Sequence, residues 1–64
     1  MKIVFKPMNY NSNIIAVVKN GKISTVNDVE IISLKFDNDI DRKRFKSLSI
    51  DDQKDMILCG YYQV

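Results

Sequence analysis

Histidine is absent from this 64-residue chain, and it has one cysteine, one proline and two glycines. Without histidine there is no Ser-His-Asp or Cys-His machinery and no imidazole ligand. A single cysteine excludes an internal disulfide and a Cys-rich zinc site. Long apolar runs are also missing: the longest, Ile14 to Val18, has five residues, far short of a membrane span. The opening Met1-Lys2-Ile3-Val4-Phe5-Lys6 breaks with charge too early for a secretory signal, so a cytoplasmic location is the expectation. Size sets a further limit. A chain this short forms one small domain, residues 1–64, and buries only about 60% of its unfolded surface. A substrate pocket of ~300 Å³ or more is hard to enclose, and nothing poises its aspartates with Ser or Lys for acid–base work. The expectation is a protein that is not an enzyme and needs no cofactor.

What is present argues for a folded domain. The chain is 45% hydrophobic and 28% charged, too apolar for disorder. Ten cations against eight anions give a net charge of +2, too even to demand an anionic partner. Lysines dominate the first 35 residues, where Asp28 and Glu30 are the only acids. Lysine, asparagine and isoleucine come from A/T-rich codons, and their abundance fits a low-GC bacterium or its phages.

The pattern along the chain points to β structure followed by helix. Ile3 and Phe5 alternate with charge over residues 2–6, suiting an edge strand that Pro7 ends. Three asparagines, Ser12 and Tyr10 make Met8–Asn13 a loop. Asn13–Lys19 reads as a second strand. Asn20-Gly21 is a strong hairpin signal, because a type I′ turn needs positive φ at both central residues. Lys22–Val26 is then the returning strand, Asn27-Asp28 a second tight turn, and Val29–Phe36 a fourth strand rich in β-branched residues. From Asp37 the pattern changes. Asp39 or Asp41 opens a short helical turn through Phe45 and Leu48. Ser49 with Asp52 three residues on resembles a capping box, with Asp51 and Asp52 at the positive dipole end. The helix is expected from Ile50 to about Cys59, with Gly60 as a left-handed terminator. The class is α+β: a small antiparallel sheet of three to four strands, two tight hairpins, and a C-terminal helix on one face.

Two-residue turns fix the pairing. Val18 would then oppose Ile23, and Val26 would oppose Val29. One face collects Ile14, Ala16, Val18, Ile23, Ile32, Leu34 and Phe36. The other collects Ile15, Val17, Val26, Val29 and Ile31. The helix stripe of Ile50, Ile57, Leu58 and Tyr61 covers only one of them. Five wet aliphatic side chains would each forgo about 1.5–3 kcal/mol, in a domain whose total stability is ~3–5 kcal/mol. Either a homodimer mate or protein partner covers this face, or the chain's own first strand, loop and C-terminal Tyr61, Tyr62 and Val64 do. Ile15, Val17, Val26, Val29 and Ile31 are thus candidate interface residues, with Tyr10, Tyr61 and Tyr62 as interface aromatics.

Three further patterns were weighed for chemistry. Asp37-Asn38-Asp39-Ile40-Asp41 opens like a calcium loop, but Arg42 stands where glycine is required and Leu48 where a bidentate Glu belongs. It reads as a strand-to-helix loop with capping aspartates, and no metal site is expected. Arg42, Lys43, Arg44 and Lys46, with Lys19 and Lys22, form a basic set that could contact phosphates. Flanking Asp39, Asp41 and Asp51 answer much of that charge. Cys59, at a helix C-terminus, has the wrong dipole sign for a reactive thiol. The sequence therefore favours a small non-enzymatic interaction protein, of the kind phages and mobile elements use to inhibit or redirect a host protein. A nucleic-acid-binding regulator using the basic set is the alternative.

Overall fold

The structure is a computed structural model that describes residues 1–19 and 22–63. Three strands, β1 (Lys2–Phe5), β2 (Ile14–Val18) and β3 (Ile31–Phe36), form an antiparallel sheet in the order β1-β2-β3. A 3-10 turn, Val26–Asp28, lies in the connection from β2 to β3. Helices α1 (Asp39–Lys46) and α2 (Ile50–Gln63) follow. The α+β class, the small antiparallel sheet and the C-terminal helix agree with the sequence pattern.

The strand pairing is where the two differ. β2 pairs with β3, not with residues 22–26: Ile14 lies opposite Phe36, Ala16 opposite Leu34, and Val17 opposite Ser33. The expected Asn20-Gly21 turn lies outside the described residues, as does Val64. The physical reason for the missing fourth strand is local. The Asp28 carboxylate accepts the backbone N–H groups of Ser24 (2.9 Å) and Thr25 (3.0 Å). The Asp28 N–H in turn reaches the Thr25 carbonyl at 3.0 Å. A side chain that satisfies nearby backbone groups competes with a sheet ladder and favours a turn. The two backbone donors, Ser24 first, hold the Asp28 carboxyl below its ordinary range despite some opposing desolvation.

The register then shifts once more. Val18 faces Ile31 while Val17 faces Ser33, so Ile32 is the extra residue of a bulge. The bulge puts Ile31 on the same face as Val18 and leaves Ile32 62% exposed. Strict alternation through β3 assigns both residues to the opposite faces. One inserted residue reverses every assignment beyond it.

Both helices pack on the face carrying Ile3, Phe5, Ile14, Ala16 and Val18, where Phe45, Ile57, Ile23, Val29 and Tyr10 complete the core. Phe45 of α1 meets Phe36 of β3 at a ring separation of 5.7 Å. Asn38 caps α1 by accepting the Asp41 N–H at 2.8 Å, with acids in the first turn and Lys43, Arg44 and Lys46 in the last. Ser49 caps α2 through the Asp52 N–H, as its spacing implies. The buried Gln53 amide donates to the Leu48 carbonyl and fixes the link between the helices.

α2 departs from expectation at two places. It runs through Gly60 to Gln63 instead of stopping at Cys59. No described glycine has positive φ. A Cβ at Gly60 would lie 2.5–2.8 Å from Phe5 Cβ, Cγ and Cδ2. This glycine is needed for close helix–strand approach rather than for a turn. Ile50, expected on the buried stripe, is 59% exposed. Ile57 carries the contact, flanked by Met56, Leu58 and Tyr61.

Candidate interaction surface

The sequence-derived interface set is divided by the structure. Ile15 and Val17 lie on the outer face of β2, half-buried, with neither helix on that side. Val29 is 1% exposed and belongs to the core, and Ile31 packs against it. Val26 sits half-buried in the 3-10 turn. This corrects the five-residue apolar face. Val29 joins the core and Ile31 packs on it, so less apolar surface is left wet than strict alternation requires.

What remains outside is a small ordered patch. Pairing places Lys2, Val17 and Ser33 in one row and Val4, Ile15 and Lys35 in the next. Val4 is 38% exposed. An open depression of about 370 Å³ runs between Lys2, Ile15, Val17, Ser33 and Lys35. Lys2, Val4, Ser33 and Lys35 were not singled out from the sequence. The signal that marks them is the same period-two alternation, read across all three strands once their register is known.

The aromatic candidates have other partners. Tyr10 is buried in the core with the Arg44 guanidinium 4.9 Å above its ring. Burial raises the Tyr10 phenol above its ordinary range; Arg44 opposes that shift and Asp41 adds to it. Tyr62 is 63% exposed, yet its hydroxyl donates to the Ile23 carbonyl at 2.8 Å and ties α2 to the β2–β3 connection. Tyr61 is half-buried and meets the Tyr62 ring edge-on at 5.0 Å. An interface role is open to the exposed face of Tyr62 and not to Tyr10.

The basic set is split as well. Arg42 is paired with Asp39 at 3.2 Å, and Arg44 donates to the Asn9 carbonyl at 2.6 Å. Lys19 faces Glu30 at 3.9 Å. Lys43, Lys46 and Lys22 are exposed. Phe45 and Arg44 hold α1 beside Phe36 and Tyr10, near the Ile14 end of β2, whereas Lys19 follows the opposite end, ~17 Å along a five-residue strand. The fold thus sets Lys19 apart from the cations of α1.

The chain matches no known family model, no curated protein and no solved structure.

The aspartate run is used structurally. Asp41 is fully buried and its carboxylate accepts from the Asn11 N–H (3.1 Å), the Ser12 N–H (3.0 Å), the Ser12 hydroxyl (3.1 Å) and the Asn38 amide (3.2 Å). Burial alone raises the carboxyl, but these donors outweigh it and the net shift is downward. Asp41 therefore latches the 9–13 loop to the start of α1. Asn9, at φ 68°, adopts the left-handed conformation that asparagine tolerates, in the Pro7–Tyr10 turn. Among the described residues, no buried side-chain nitrogen or oxygen lacks a partner. No helix of the described residues is long and apolar enough to cross a membrane.

Proposed function

We propose that this chain is a small non-enzymatic protein-interaction module that acts in the cytoplasm and docks a protein partner on the outer face of its sheet. One observation carries this reading: Val4, Ile15 and Val17 line a face that neither helix covers, while both helices lie on the other face. A domain of this size has little apolar side-chain area to leave wet without a use. The chain's composition fits a phage or mobile-element regulator of a host protein, which acts by occupying that protein. The nucleic-acid alternative has less behind it, because Arg42, Arg44 and Lys19 already have partners in the fold.

The test is a comparison of the unaltered chain with Val17→Asp as bait in a low-GC bacterial lysate. A protein retained at both low and high salt, and lost with the variant, supports the reading, since a buried unpaired charge is costly at an interface. Retention that ignores Val17 removes the face from consideration. Generic DNA and RNA serve as a second arm. Micromolar binding that collapses with salt and vanishes when Arg42, Lys43, Arg44 and Lys46 are neutralised favours the nucleic-acid alternative.

A further inference from the structure

We infer that the occupant of the outer sheet face is an amphipathic helix of another protein, with acidic residues framing an apolar centre, and that it is not a second copy of this chain. The inference rests on the docking face proposed above and concerns what fills it.

Charge comes first. The two paired rows hold Lys2 and Lys35 and no acid. Glu30 is engaged with Lys19 at 3.9 Å, and the next acid along β3, Asp37, lies past the strand's end. Lys2 and Lys35 sit at diagonal corners, and Val4, Ile15 and Val17 lie between them. Two copies stacked face to face would gather four lysines around one apolar patch, with no acid in those rows to answer them. Like charges so placed select against self-association and for an acidic partner.

Area gives the same answer. Three strands about 4.8 Å apart make a strip ~10 Å wide, and the two rows are ~7 Å apart along the strands. A standard stable interface buries about 800 Å² per partner. That is nearly a fifth of the 4318 Å² this chain exposes, so a stable homodimer would have to extend well beyond the two rows. A short helix needs less, as a transient contact below about 1,200 Å² in total. A single helix laid along the Lys2–Lys35 diagonal passes over β2 between Val17 and Ile15. The lysine corners lie ~12 Å apart by the same spacings, which is about eight residues of helix. The complementary segment thus carries acids seven or eight residues apart with apolar residues between them.

The experiment is selection of a phage-displayed library of randomised helical peptides on the unaltered chain. Binders are then measured by fluorescence polarisation against the unaltered chain, Val17→Asp and Lys2→Glu/Lys35→Glu. The expected result is enrichment of acids at seven- or eight-residue spacing around apolar positions. Binding should weaken about tenfold or more in both variants and fall with added salt. The lysine variant changes only exposed side chains, so it stays folded and keeps the test decisive. Enriched peptides that need Val17 but ignore the lysines overturn this inference and leave the docking face standing. Peptides indifferent to Val17, or no enrichment, overturn both. A dimer in sedimentation that Val17→Asp dissociates also overturns the choice of occupant.

Discussion

Replacing Gly60 with alanine puts the close approach of α2 and β1 to a direct test. In an exposed helix the change gains about 1 kcal/mol of helix propensity. Here the added methyl carbon would lie 2.5 Å from Phe5 Cγ and 2.7 Å from Phe5 Cβ. Carbon atoms settle at about 3.5–4.0 Å, so a gap of ~1 Å must open. The crowded atoms are the stem of the phenylalanine and the root of its ring. No ring rotation moves them away, and the strand or the helix has to shift. Overpacking of this kind costs about 1–3 kcal/mol, and after the propensity gain the net loss is ~0–2 kcal/mol. At about 4–8 °C per kcal/mol for so small a domain, the melting temperature should fall by up to roughly 15 °C. Circular dichroism melts of Gly60→Ala, Gly60→Ser and Gly60→Asn, beside Cys59→Ala as an exposed neighbour, supply the ranking. Contact with Phe5 predicts loss that grows with side-chain size, while Cys59→Ala stays within ~0.5 kcal/mol. A glycine acting as a left-handed terminator predicts the reverse order, with asparagine better tolerated than alanine. Asparagine above alanine, or an alanine variant that melts higher than the unaltered chain, refutes the packing argument.

Three other outcomes follow from the same geometry. Asp41 has a depressed pKa in the folded state, so its stabilisation is complete above the ordinary carboxylate range and is lost as pH falls through the lower folded value. Urea melts below about pH 4 should show this loss, and Asp41→Ala should remove that part of the pH dependence while lowering the melting point by several degrees at pH 7. Asp28→Ala removes the acceptor for the Ser24 and Thr25 N–H groups; hydrogen exchange of those two amides should speed up at least several-fold, and unchanged exchange would discard the account of the missing fourth strand. Val29→Ala should cost about 1–3 kcal/mol and Ile32→Thr less than ~0.5 kcal/mol in chemical denaturation, and equal costs would refute the bulge that separates their environments.

Much of the local structure was legible along the chain. Ile3 and Phe5 set the buried face of β1, because alternation with charge is a property of a single strand; β2 is apolar at every position, and its buried face follows only from packing. Ser49 and Asp52 marked the start of α2, because a cap is made within four residues. The same Ser/Thr-x-x-Asp spacing stands at Thr25 and Asp28, where a β-rich run of Ile and Val masks it. Of the candidate surface, only Ile15 and Val17 were both named and found outside.

The sequence by itself determined the α+β class, the lack of an internal disulfide and of histidine chemistry, and the buried face of β1. Each follows from composition or from a period contained in one element. Only the tertiary structure decided which strand β2 pairs with, that Ile32 bulges, that Val29 is core, that Gly60 admits Phe5, and that Lys2 and Lys35 flank Val4, Ile15 and Val17. These depend on contacts between residues far apart in the chain, where a single inserted residue reverses a face, and no local period records it.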